Sequence, residues 1–76
     1  MTYQPNPNAP TAARIEELVG FPVYLTLEDR GMLIAVQPDG CYGPGGAEGD
    51  LALAERVAAA VEGSYVVACG VVAYDY

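Results

Sequence analysis

Val23-Tyr-Leu-Thr-Leu-Glu-Asp-Arg-Gly-Met-Leu-Ile-Ala-Val36 changes side-chain character every second residue, with Val23, Leu25 and Leu27 facing one way and Tyr24, Thr26 and Glu28 the other. That period belongs to a half-buried strand. Asp29-Arg30-Gly31 interrupts it with turn chemistry, Gly31 being suited to positive φ, and Met32, Ile34 and Val36 then resume the alternation. The stretch therefore predicts an antiparallel hairpin, ended by Pro38-Asp39-Gly40.

Working upstream, Thr11 stands as an N-cap and Ala12, Ile15, Leu18 and Val19 recur at helical spacing, with Arg14, Glu16 and Glu17 pointing elsewhere. Gly20 stops this short helix and Pro22 reinforces the stop. Residues 1–10 hold Pro5, Pro7 and Pro10, which remove amide donors and hold the chain extended, so the sequence predicts an arm there. Two expectations attach to the arm: a disordered terminus, or a strap that orders on a neighbouring subunit through Tyr3.

Downstream, residues 40–49 are five glycines, a proline and little with which to build a core, and read as a flexible surface loop. Asp50 is expected to cap a second helix with an apolar stripe of Leu53, Val57, Ala60 and Val61, stopped at Gly63. Ser64 to Tyr76 reads as β throughout, with Gly70 a bulge or bend. Val66, Ala68, Val72 and Tyr74 share one of its faces, and Tyr65, Val67, Cys69, Val71 and Ala73 the other.

The predicted fold is a small α+β domain over residues 11–76, of order α-β-β-α-β, with a three-stranded antiparallel or mixed sheet carrying both helices on one face. Both faces of the C-terminal segment are apolar, as in a strand covered on two sides. With both helices on one side, the second face is expected to be covered by another subunit.

Composition narrows the function. The 76 residues are 53% hydrophobic and 17% charged, against about a quarter charged in a typical soluble domain. Three arginines against ten acids give a net charge of −7, which disfavours nucleic acid and anionic lipid, because phosphate contacts need clustered cations. No run approaches the roughly 20 apolar residues of a spanning helix, and the opening residues lack the basic-then-apolar pattern of a signal peptide. A cytoplasmic or virion-associated protein is expected, with no membrane and no nucleic-acid partner.

Chemistry-bearing patterns are sparse. The run Gly43-Pro-Gly-Gly-Ala-Glu-Gly-Asp50 superficially looks like a phosphate-cradling loop, but lacks the Gly-Lys-Ser/Thr ending and carries two acids that repel phosphate. Asp39, Glu48 and Asp50 offer hard oxygen ligands without EF-hand spacing, and a mobile loop beside a solvated helix cap accounts for them better. Cys41 and Cys69 have no His or Lys in the chain to serve as base. Cys69, within an apolar strand, is expected to be inert core, and a single Cys41–Cys69 bridge stays open. The adjacent acids Glu16-Glu17 and Glu28-Asp29 do not converge on one substrate atom. No catalytic residue, cofactor or metal is expected.

Six tyrosines against one phenylalanine and no tryptophan favour association, since Tyr couples a large apolar area to a polar tip. The expected interface is Tyr3, Tyr65, Val67, Val71, Tyr74 and Tyr76. The leading expectation is a non-enzymatic structural or interaction subunit that self-associates or docks on a larger protein assembly, an accessory virion or shell protein being the analogy. The alternatives are an acidic inhibitor or adaptor, using Glu16, Glu17, Glu28, Asp29 and Asp39 toward a basic protein, and a small metal-binding module built on residues 39–50.

Overall fold

The computed structural model describes residues 9–38 and 42–76. Thr11 begins the first helix as its sequence implies. Its backbone is extended (φ −86°, ψ 163°), and its Oγ1 accepts from the Arg14 amide at 3.2 Å. Helix α1 spans Ala12–Val19 and ends on Gly20, which takes the left-handed conformation (φ 83°) and donates its N–H to the Glu16 carbonyl at 2.8 Å. Ile15 and Val19 are its buried residues, and Leu18, expected beside them, stays 45% exposed.

Strand β1 (Tyr24–Glu28) and strand β2 (Gly31–Ala35) form the expected antiparallel hairpin, joined by Asp29-Arg30. Gly31 is needed for a different reason from the one its turn context suggests. Its φ is not among the positive glycine values, which belong to Gly20, Gly46 and Gly63. A Cβ built on Gly31 would instead run into the Tyr74 carbonyl oxygen and the Asp75 Cα of the neighbouring strand.

Helix α2 (Gly46–Ala60) begins before the predicted start. Gly45 is the N-cap and Asp50 lies inside the helix, not at its end. Gly46 N–H bonds the Gly43 carbonyl and Gly49 N–H the Gly45 carbonyl, so glycines with weak helix propensity are drawn in by hydrogen bonding. Their small size also matters, because a Cβ on Gly45 would sit 2.8 Å from Gly49 Cα.

The chief correction concerns the C-terminal segment. It is two strands, β3 (Ser64–Ala68) and β4 (Val71–Asp75), hairpinned through Cys69-Gly70, so the sheet has four strands instead of three. All pairings are antiparallel and the order is β1-β2-β4-β3. The register shifts between Val66 and Ala68, placing a bulge at Val67.

Register defines the two faces. Leu25, Ile34, Val72 and Val66 form one cross-sheet row, and Leu27, Met32, Tyr74 and Ser64 the next. On this face Ile34, Met32 and Val72 close a core with Ile15 and Val19 of α1 and Ala54 and Val57 of α2, so both helices cover one side of the sheet. The two helices are tied together where α1 ends. Arg56 Nη2 donates to the Val19 carbonyl at 3.0 Å while its guanidinium lies 5.2 Å from the Phe21 ring centroid. Glu16 Oε2 accepts from the Val23 amide at 3.0 Å, fixing the entry into β1. Among the described residues no helix is long and apolar enough to cross a membrane.

Candidate functional site

The same register that builds the core builds the opposite face. Its first row is Tyr24, Ala35, Val71 and Ala68, and its second is Thr26, Leu33, Ala73 and Tyr65. Its third is Glu28, Gly31 and Asp75. No helix of the described chain packs on this side, because the residues of both helices that pack inward join the core on the other. The two central strands supply a low floor of Gly31, Ala35, Val71 and Ala73, while Tyr24 on edge strand β1 (42% exposed) and Tyr65 on edge strand β3 (48% exposed) stand above it.

The two ends of this face differ in character. At the first-row end Tyr24, Ala35, Val71, Ala68, Cys69 and Tyr42 line an open, mainly apolar cleft of about 700 Å³. The third-row end is charged, with Glu28, Asp29, Arg30 and Asp75 grouped around the β1–β2 turn. There the Tyr65 hydroxyl donates to Asp75 Oδ2 at 3.0 Å. That hydrogen bond, aided by the carboxylate's charge and slight desolvation, pushes the Tyr65 hydroxyl above its ordinary value of 10.0. The phenol therefore stays neutral at physiological pH and serves as a donor, not a base.

Of the expected interface residues, the structure brings Tyr65 and Val71 to this side, while Val67, at the β3 bulge, is 51% exposed. Tyr74 lies in a core-face row and packs against the core, with the Tyr76 ring edge-on to it at 6.3 Å between centroids. Tyr76 follows the end of β4, with its amide bonded to the Arg30 carbonyl. Tyr3 lies outside the described residues. Tyr24, Leu33, Ala35 and Tyr42 stand on or beside this face and are not among the interface residues expected from the sequence. The alternation in 23–36 puts Tyr24, Leu33 and Ala35 on one face of the hairpin, and the β2–β4 and β4–β3 pairings then bring Tyr65 to the same face.

Cys69 is not core: it occupies the β3–β4 turn and is exposed as a free thiol. Cys41 and Asp39 lie outside the described residues. Asp50 is 3% exposed, and its Oδ1 accepts from Gln37 Nε2 at 3.2 Å and from the Gly43 amide at 3.3 Å, so its charge is spent on the loop before α2. Among the described residues no three His, Cys, Asp or Glu side chains gather where they could hold a metal ion. The acids weighed for a basic partner are spread over the molecule. Glu16 is bound to Val23 N, Glu17 pairs with Arg14 at 3.0 Å, and Glu28 and Asp29 sit at the hairpin turn.

What this face offers chemically is area and shape: aromatic walls, an aliphatic floor and one polar end. Comparison with protein-family models, with curated proteins and with solved structures finds no match, so the reading of this face rests on its geometry.

Proposed function

We propose that the chain is a non-enzymatic interaction subunit whose helix-free sheet face is buried against protein in a self-associated or larger assembly, as in an accessory shell or virion protein. One observation carries this reading. A four-stranded sheet presents Tyr24, Thr26, Leu33, Ala35, Tyr65 and Val71 on a side that neither helix covers, with Ala73 buried at its floor. Antiparallel sheets with one solvated side normally carry polar residues there. Here the first two rows hold Thr26 as their only non-tyrosine polar side chain.

Contiguous apolar surface rimmed by charge marks interaction sites in soluble domains, and tyrosine is enriched there. The experiment is a paired measurement of mass and surface on the purified full chain. The expected result is self-association by light scattering or, for chain that stays monomeric, binding of the dye bis-ANS that falls in a Tyr24→Ser, Tyr65→Ser double variant of unchanged circular dichroism. A dye-silent monomer would remove the proposal.

A further inference from the structure

Resting on the reading that this face is a protein interface, we infer that its occupant is a second copy of the same chain, packed sheet to sheet about a two-fold axis that runs parallel to the strands between β2 and β4. Rotation about that axis lays β1 over the partner's β3 and β2 over the partner's β4, row on row, because the strand order places each pair symmetrically about the sheet centre. The side chains of the first two rows then meet large against small at every position. Tyr24 falls opposite the position of Ala68, and Tyr65 opposite that of Thr26. Leu33 falls opposite that of Ala73, and Val71 opposite that of Ala35. In the charged row Gly31 faces Asp75, leaving room for a carboxylate.

An axis lying in the sheet plane but crossing the strands gives none of this. It stacks Tyr65 on Tyr65, Leu33 on Leu33 and Tyr24 on Glu28. Aligned sheets cross at about 30°, so the match is closest over the central strands and relaxes toward the edges, where the flexible tyrosines stand.

Area sets the strength. Tyr24, Tyr65 and Tyr42 still expose 42%, 48% and 69% of themselves, which at about 200 Å² per buried tyrosine is about 300 Å². Four strands about 4.8 Å apart and about 17 Å long leave an aliphatic floor that adds roughly 200 Å². Two copies therefore bury about 1,000 Å², the lower bound of a specific interface and the size of a reversible one. Charge points the same way. Glu28, Asp29 and Asp75 against Arg30 leave the third-row end net acidic, and this axis brings the two acidic ends together. Salt screens that repulsion, so the association is strengthened by salt, the reverse of what a basic partner would show.

The test uses sedimentation equilibrium on the full chain. The wild type is expected to show a monomer–dimer equilibrium that tightens severalfold as salt rises from about 0.05 M to about 0.5 M. Tyr65→Arg and Thr26→Glu each put an extra charge and its desolvation cost into the contact and are expected to lower self-association at least tenfold. Circular dichroism checks that each stays folded. Mixed together, the two variants place Arg opposite Glu across this axis alone, so the mixture is expected to associate at least tenfold more tightly than either variant by itself. A dimeric wild type whose variants fail to rescue each other would overturn the axis. A wild type monomeric up to about 1 mM, well past the weak-binding range, would overturn the second copy as occupant. In that case bis-ANS binding by the monomer would leave the face as a site for some other protein, and its absence would end both readings.

Discussion

Asp50 gives the sharpest test of how this small domain is held together. Its carboxylate is almost wholly buried and accepts two hydrogen bonds, one from the Gln37 side chain and one from the Gly43 backbone, at 3.2 and 3.3 Å. It also lies beneath the β3–β4 turn, where a Cβ on Gly70 would meet Asp50 Cβ at 3.4 Å. Hydrogen bonds to a charged acceptor contribute about 1.5–3 kcal/mol each, and two at the long end of the range fall at or below the bottom of it. Asp50→Ala removes both and leaves the Gly43 amide without its acceptor, which costs about 2–3 kcal/mol in all. Asp50→Asn keeps one carbonyl acceptor and so costs about 1 kcal/mol. A chain of 76 residues has about 4–11 kcal/mol of stability to lose, so the alanine variant remains measurable. Urea unfolding with a slope of about 1 kcal/mol/M would show its midpoint lowered by about 2–3 M. A double-mutant cycle with Gln37→Ala should return a coupling of about 1 kcal/mol. An Asp50→Ala midpoint within about 0.5 M of wild type would refute the account.

Gly31→Ala drives a methyl into the Tyr74 carbonyl on the central β2–β4 ladder and is expected to cost about 3 kcal/mol or more, seen as a large fall in thermal midpoint. Val57, fully buried beneath the sheet, should lose about 2–3 kcal/mol on truncation to Ala in urea unfolding, whereas Leu51→Ala on the same helix, 39% exposed, should cost well under 1 kcal/mol. Arg56→Ala forfeits the bond to the Val19 carbonyl and the contact with Phe21 and is expected to cost about 1–2 kcal/mol, with Arg56→Lys recovering only part because a point charge does not match the planar fork. The folded state holds the Tyr65 proton more tightly than the unfolded chain does. Its contribution is therefore complete below pH 10.0 and is lost as pH rises through the folded-state value above it. Asp75→Asn should bring the Tyr65 titration back toward the ordinary value, followed by tyrosinate absorbance.

Where local chemistry decided structure, the sequence could be read directly. Thr11 and Gly20 bracket α1 because a hydroxyl cap and a left-handed terminus are demands of a few adjacent atoms. The 23–36 hairpin follows from alternation alone. The C-terminal hairpin is hidden because Gly70 is the one turn residue between two strands apolar on both faces, and a lone glycine inside a β segment reads as a bulge or bend. A length argument would have exposed it, since thirteen extended residues reach about 43 Å while a five-residue partner such as β2 offers about 17 Å. The early start of α2 escaped notice for the opposite reason. Glycine-rich composition argues for a loop, and only the tertiary setting of Asp50, bonded to Gln37 and Gly43, shows what holds that turn in place. On the open face, Tyr65 and Val71 could be placed by parity within one segment. Their company with Tyr24 and Leu33 depends on β2 pairing with β4, a long-range fact that local patterns do not carry.

That pairing has a consequence for the order of events as the chain is made. β4 leaves a ribosome after the other five described elements, yet it occupies a central position and joins residues some forty apart, such as Gly31 and Asp75. Until it arrives, the nascent β1–β2 hairpin offers β2 as a bare, apolar edge, open to any other unfinished strand nearby. Productive synthesis then becomes a race between completing the native sheet and strand exchange among neighbouring polysomal chains, with the late, non-local closure as its slow step.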